Sequence, residues 1–225
     1  MGVAIPETQA MSNPVKNVAY VVVLTLVCST AMAWVSARCR PKYLKSKAQA
    51  CETPEMMRRT LSVLPVATPA SASPEQICDA YRARVTAKMD AAGEIIAYEC
   101  RDPQSAELQA VAFPVQGPGH HGQIKAMLAL EKDLKTIRCF RVFENQETDG
   151  LGADIAEDWF QDQFAGKTAT DEKGEVAIRV VEPDTADGPL QLDGISGATI
   201  TSKAVDDLLR KGIKTFLERY KTNGQ

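Results

Sequence analysis

Between Val18 and Ala37 the chain runs for 20 residues without a charged side chain, "VAYVVVLTLVCSTAMAWVSA". About 20 such residues are what a helix needs to cross a bilayer core. A cleaved secretory leader is the competing reading: Lys16 supplies a basic flank, and "AMA" at Ala31 to Ala33 resembles a cleavage site. The apolar run continues past that site through Trp34 and Val35. That is long for a leader, so the sequence favours a retained transmembrane helix over 18–37. Arg38, Arg40, Lys42, Lys45 and Lys47 follow the run, whereas Lys16 alone precedes it closely. Taken alone, this charge count would hold the downstream domain in the cytoplasm.

The remaining length suits one domain of ordinary size. The net charge of -3, with no basic cluster interleaved with aromatics, gives no ground for nucleic-acid binding. Residues 1–17 read as a polar leader. Residues 38–94 read as a basic stalk and linker, with helical segments around Pro54 to Leu64 and from Pro74 to Asp90. The folded domain is expected over 95–225. Within it, "LQAVAFPV" reads as a strand, and "GPGHHG" (Gly117 to Gly122) as a loop. "QIKAMLALEKDLKTIRCFRVFENQ" alternates at period 2 on both sides of "EKDLK", which predicts an antiparallel hairpin. "ADIAEDWFQDQFAG" predicts an amphipathic helix ending at Gly166, "EVAIRVVE" a strand, and "SKAVDDLLRKGIKTFLERY" a last amphipathic helix. This order of elements predicts an α+β fold with antiparallel strands and flanking helices.

Six cysteines are scattered with no CxxC pair, which argues against a zinc site or a cysteine-bound cluster. Cys78 and Cys100 could pair as a disulfide in an exported domain. No general acid/base pair or nucleophilic triad is apparent.

The stretch "LDGISGATITSKAV", Leu192 to Val205, carries two readings. In the first it is a turn and a cap. Gly194 and Gly197 let the backbone turn, Thr201 or Ser202 caps the last helix, and Asp206 and Asp207 favour its first turns. In the second, the free N–H groups and partial positive charge of the helix start face a phosphate, and Gly and Ala let the backbone approach it. A threonine hydroxyl there could carry a phosphoester.

"DGISGAT" followed by "ITS" resembles the flavinylation site of the FMN-binding domain family, which includes the G subunit of Rnf ion-pumping complexes and the C subunit of the sodium-pumping NADH:quinone reductase. "ENQETDGLGADI" is similar to the family's Glu-Thr-Pro-Gly-Leu-Gly segment, "WFQDQFAGK" to the helix after it, and "GPGHHGQI" to its Gly-rich loop. The resemblance covers about Val18 to Lys47 and Ala110 to Tyr220. It implies covalent FMN held by a phosphoester to Thr199, with Thr201 as the nearest alternative acceptor. Ser196, Gly197 and Ala198 would surround the phosphate. Asp193 would serve the attaching flavin transferase or order the turn. Glu147, Thr148, Gly150 and Leu151 would line the isoalloxazine.

The implied role is an electron carrier inside a larger membrane complex. The implied location is the outer face of the bacterial cytoplasmic membrane, against the charge count. Rnf-type ferredoxin:NAD oxidoreductase is the leading host and the sodium-pumping quinone reductase, through its C subunit, the close rival. An exported binding or scaffold domain without covalent flavin is the alternative of another class. Two departures stand out. Asp149 replaces the family's Pro. His120 and His121 stand where relatives often carry an aromatic or aliphatic residue, so that wall of a flavin site would be more polar; the pair invites a metal, but with no third ligand or second cluster evident in the sequence none is expected.

Overall fold

In the computed structural model, residues 22–30, 53–69, 71–90 and 92–222 are described. Two compact units are present, 1–49 and 50–225. In the first, residues 22–30 form a helix (α1). The rest of the expected span 18–37 lies outside the described residues. Among the described residues no helix is long and apolar enough to cross a membrane.

The second unit is built on a five-stranded antiparallel meander, β1 (Val85–Met89), β2 (Ile95–Arg101), β3 (Leu108–Pro118), β4 (Gln123–Glu131) and β5 (Ile137–Glu144), paired in chain order. The period-2 pattern has a direct structural cause, since successive side chains leave a strand on opposite faces. Ile124, Ala126, Leu128 and Leu130 of β4 enter one core, while Met127 and Ala129 enter another. β3 divides in the same way, Val111, Phe113 and Val115 against Ala110 and Ala112. Both faces of the central strands are therefore buried.

The first face is covered by α5 (Thr199–Thr222), which buries Val205, Leu208, Leu209, Ile213, Phe216 and Leu217. Phe113 of β3 stacks on Phe216 with ring centroids 4.0 Å apart and planes 3° from parallel. The opposite face is covered by α2 (Pro54–Val63) and α3 (Pro74–Arg84), which bring Met57, Leu61, Val63, Ile77 and Tyr81 to it. Both helices start as their sequences dictate. Thr53 and Ser73 cap them, with proline at the first helical position and a reciprocal Ser73–Gln76 capping box.

The fold overturns several expectations. The segment 54–94, read as linker, folds with the domain and supplies the edge strand β1. The helix read from Pro74 to Asp90 ends at Arg84, because Val85 is extended and pairs with Cys100 of β2. The helix read from Ala153 to Gly166 is instead a 3₁₀ turn (Gly152–Ala156), one α turn, α4 (Asp158–Gln161), and a second 3₁₀ turn (Asp162–Phe164). Extended Glu157 breaks it, and its apolar residues Ile155, Phe160 and Phe164 still reach the core. The strand read as "EVAIRVVE" contracts to β6 (Arg179–Val181), which pairs in parallel with an unforeseen β7 (Gln191–Asp193). Cys78 and Cys100 are free thiols, so no disulfide joins them.

Candidate functional site

The β3–β4 pairing runs unbroken from Ala110↔Glu131 to Pro118↔Gln123, so the loop 119–122 projects from the end of the sheet. Gly119 N–H closes it by donating to Gly122 O at 2.6 Å. β5 ends at Glu144 beside Lys125, at the same end. The segment 145–152 that follows therefore lies next to the first loop. Glu147 joins the two: its Oε1 accepts the His121 backbone N–H at 3.0 Å. Its Oε2 accepts the Thr201 hydroxyl at 2.5 Å, which brings in the start of α5.

This carboxylate is buried. Burial pushes its pKa up, but the hydrogen bonds from Thr201 and from the His121 and His120 N–H groups, with the His121 ring, outweigh burial. The net pKa lies below the ordinary glutamate value of 4.5. Glycines make the space. A Cβ on Gly119 would stand 2.4 Å from Glu147 Oε1, and one on Gly152 would stand 2.5 Å from Thr201 Oγ1 and 2.9 Å from Glu147 Oε2.

Two outcomes follow. Gly152→Ala is expected to cost about 1–3 kcal/mol, because the added methyl overpacks the Glu147–Thr201 pair. A lowered urea midpoint at unchanged m-value checks it. The second concerns acid. With the folded pKa of Glu147 depressed, its stabilising contribution is fully present above the unfolded value and is lost as pH falls through the folded value. Denaturant midpoints of wild type and Glu147→Gln should therefore differ most at neutral pH and converge as pH falls through that folded value.

The start of α5 departs from the expected cap. Ser202 N–H donates to Ala198 O at 2.9 Å, so Ala198 holds the cap position, and among the described residues no hydroxyl caps the helix. Thr201 and Ser202 lie inside the first turn with other partners: Thr201 holds Glu147, and Ser202 Oγ accepts the Ile195 N–H at 2.9 Å. Asp206 lies further along and accepts the Val180 N–H at 2.9 Å, tying α5 to β6. The N–H groups of Thr199, Ile200 and Thr201 are thus left for a ligand, as at any helix start lacking a side-chain cap.

A cavity of 340 Å³ opens at this place, walled by His120, His121, Glu147, Thr148, Leu151, Gly152 and the run Gly197–Thr201. Seven of the ten residues singled out in the sequence therefore meet: Glu147, Thr148, Leu151, Gly197, Ala198, Thr199 and Thr201. Gly197 holds φ at +78°, and Leu151 approaches to 3.2 Å of where its Cβ would be. Leu151 and Ile200 are exposed apolar side chains on the wall. Thr199 is exposed and also borders a second cavity of 630 Å³ with Val181, Pro183, Ile195 and Lys203.

Three residues stand apart. Gly150 only supplies a turn at φ +71°, and Ser196 is exposed outside the wall. Asp193 accepts the N–H groups of Thr185 and Ala186 at 2.9 Å each, which orders the loop after β6. The histidine pair His120–His121, expected at a wall of the flavin site, does line the cavity. Sequence reasoning did not place Gly119 and Gly152 in the site; the motif "GPGHHG" was the available signal for the first.

These features define a class: an α+β domain whose sheet-end loops and helix start build a cavity, with helix N–H groups placed to meet an anionic group. Residues 119–214 match the FMN-binding domain family, the family that the sequence motifs resemble. The C subunit of the Na(+)-translocating NADH-quinone reductase of Pseudomonas aeruginosa is 36% identical over 120 residues, 49% of this chain and 46% of that protein. The corresponding protein of Vibrio alginolyticus is 35% identical over 119 residues, 50% of this chain and 46% of that protein. The match thus spans less than half the length of these relatives. The crystal structure of Shewanella oneidensis NqrC shares the fold with a TM-score of 0.63 at 22% identity, covering 77% of this chain and 99% of that one. The C subunit of the Na(+)-translocating NADH-quinone reductase of Parabacteroides distasonis does so with a TM-score of 0.60 at 23% identity, covering 77% and 96%.

Proposed function

We propose that this chain is a membrane-anchored flavoprotein subunit that carries FMN on Thr199 through a phosphoester and passes electrons within an ion-translocating redox complex. The observation that carries this reading is the placement of Thr199. It is exposed at the first position of α5, beside helix N–H groups that have no partner among the described residues, on the wall of a cavity lined also by Glu147, Thr148, Leu151 and Gly152 of the matched loop. Thr201, the alternative acceptor, is only 3% exposed and its hydroxyl is engaged by Glu147. A bulky transferase reaches the first hydroxyl and not the second.

The cavity residues fit the cofactor. The N–H groups at the start of α5 and the backbone at Gly197 and Ala198 would hold the phosphate. Leu151 and Ile200 would cover apolar ring surface, and Thr148 offers a hydroxyl. Glu147 keeps the two loops and α5 in register. When bound, FMN supplies one- and two-electron transfer, and the protein sets its position and exposure. A covalent link keeps the flavin in place on the outer face of the cytoplasmic membrane, where we place this domain, with the run 18–37 as its anchor. The partners are then the other subunits of the complex and, during maturation, a flavin transferase.

Two hosts suit this chemistry. Rnf-type ferredoxin:NAD oxidoreductase is the one that the "GHHGQI" loop suggests. The named relatives are subunits of a Na(+)-translocating NADH-quinone reductase, and this favours that complex as the second reading. Co-purification from native membranes separates them, since an Rnf host brings ferredoxin:NAD activity and the other brings quinone reduction.

The test of the reading itself is the mass of the denatured native protein and of its peptide spanning Ser196–Thr201. The expected increment is one FMN less water. An unmodified peptide from a host with active transferase would leave an anchored binding or scaffold domain and remove the redox role.

A further inference from the structure

We propose that His120, His121 and Glu147 form a binding site for a divalent transition-metal ion of the Zn²⁺ or Co²⁺ type at the mouth of the cavity. They are the chain's two histidines and the carboxylate that joins the loops, and one ligand atom from each lies within 4.8 Å of the others. This corrects the expectation that the histidine pair has no third ligand, which comes from 26 residues beyond His121 in the chain.

The geometry has a local cause. In a strand, neighbouring side chains point to opposite faces. Here the closed turn Gly119–Gly122 sets both rings on one side, with centroids 4.1 Å apart and planes at 69°. Both rings are exposed, so they keep the freedom to close on an ion with bonds of about 2.0–2.2 Å, and little desolvation opposes it.

Glu147 meets the requirements of a ligand. Each of its oxygens retains acceptor capacity after binding the Thr201 hydroxyl and the His121 N–H. His121 Nδ1 lies 3.4 Å from Thr148 Oγ1, a contact that orients the ring and leaves Nε2 for the ion. Two imidazoles and a carboxylate suit Zn²⁺ or Co²⁺ and leave a fourth position open. Ion binding stands on these residues alone. Its consequence rests on the proposed flavin reading: a dication beside Thr148 and Leu151 would favour the electron-rich reduced flavin and raise its potential.

The experiment uses the full chain in detergent, produced without flavin transferase and titrated with Co²⁺. The expected result is one d–d spectrum without thiolate charge transfer, displaced by Zn²⁺. The affinity should fall by at least about tenfold, or 1.4 kcal/mol, in His120→Ala/His121→Ala. Both replaced rings are exposed, so circular dichroism should show an intact fold. Equal affinity in wild type and variant, a thiolate band, or no spectrum at millimolar Co²⁺ would each overturn the site. With flavinylated protein, Zn²⁺ should raise the potential in wild type only. Co²⁺ binding, with the Thr199 peptide left unmodified in protein from a host with active transferase, would uphold the metal site and remove the flavin reading.

Discussion

Thr199→Ala is expected to give a stable, folded chain with no attached flavin. The Thr199 side chain is exposed, and among the described residues its hydroxyl has no hydrogen-bond partner, so its loss should change stability by no more than about 0.5 kcal/mol. The effect on the cofactor is all-or-none, because a phosphoester needs the hydroxyl oxygen. Thr201→Val should give the reverse pattern. The proposed attachment oxygen of Thr199 is kept, but buried Glu147 loses the donor at 2.5 Å, at a cost of about 1–3 kcal/mol. Peptide mass and a urea melt of both variants separate the two roles. A Thr199→Ala protein that still carries flavin, with Thr201→Val lacking it, would move the acceptor to Thr201.

Phe113→Ala should be strongly destabilising. Its ring is 1% exposed and stacks on Phe216, so it joins β3 to the C-terminal half of the helix whose first residue is Thr199. Removing a buried Phe ring costs about 3–5 kcal/mol in transfer and cavity terms. That is a large part of the roughly 5–15 kcal/mol that holds a typical domain together. A chain of this size should lose roughly 6–20 °C in Tm. A loss of under about 1 kcal/mol would mean that α5 is not held by this stack. A second helix–sheet contact lies near it: a Cβ on Gly212 would stand 2.6 Å from Val115 Cγ1, so α5 sits close to β3 over this stretch.

Glu147 and the histidine loop connect the proposed flavin chemistry to the proposed metal site. The carboxylate that keeps Thr201 and the loop 119–122 together also faces the imidazoles.

Elements whose pattern is local were legible in the residues alone. Alternation over Leu108–Glu144 set the strands and the hairpin, since side-chain period follows directly from backbone geometry. The apolar stripe from Val205 to Tyr220 set the long helix, and the small residues around Gly197 marked its approach. What depends on partners distant in the chain was settled by packing. Val85 became a strand because β2 offered it an edge, against the helical reading of its own segment. Thr201 lost its role as cap because Glu147, 54 residues earlier, engaged its hydroxyl. Thr199 and Thr201 look alike in sequence. Sheet register and the packing of α5 left one in solvent and buried the other, and no short-range preference distinguishes them.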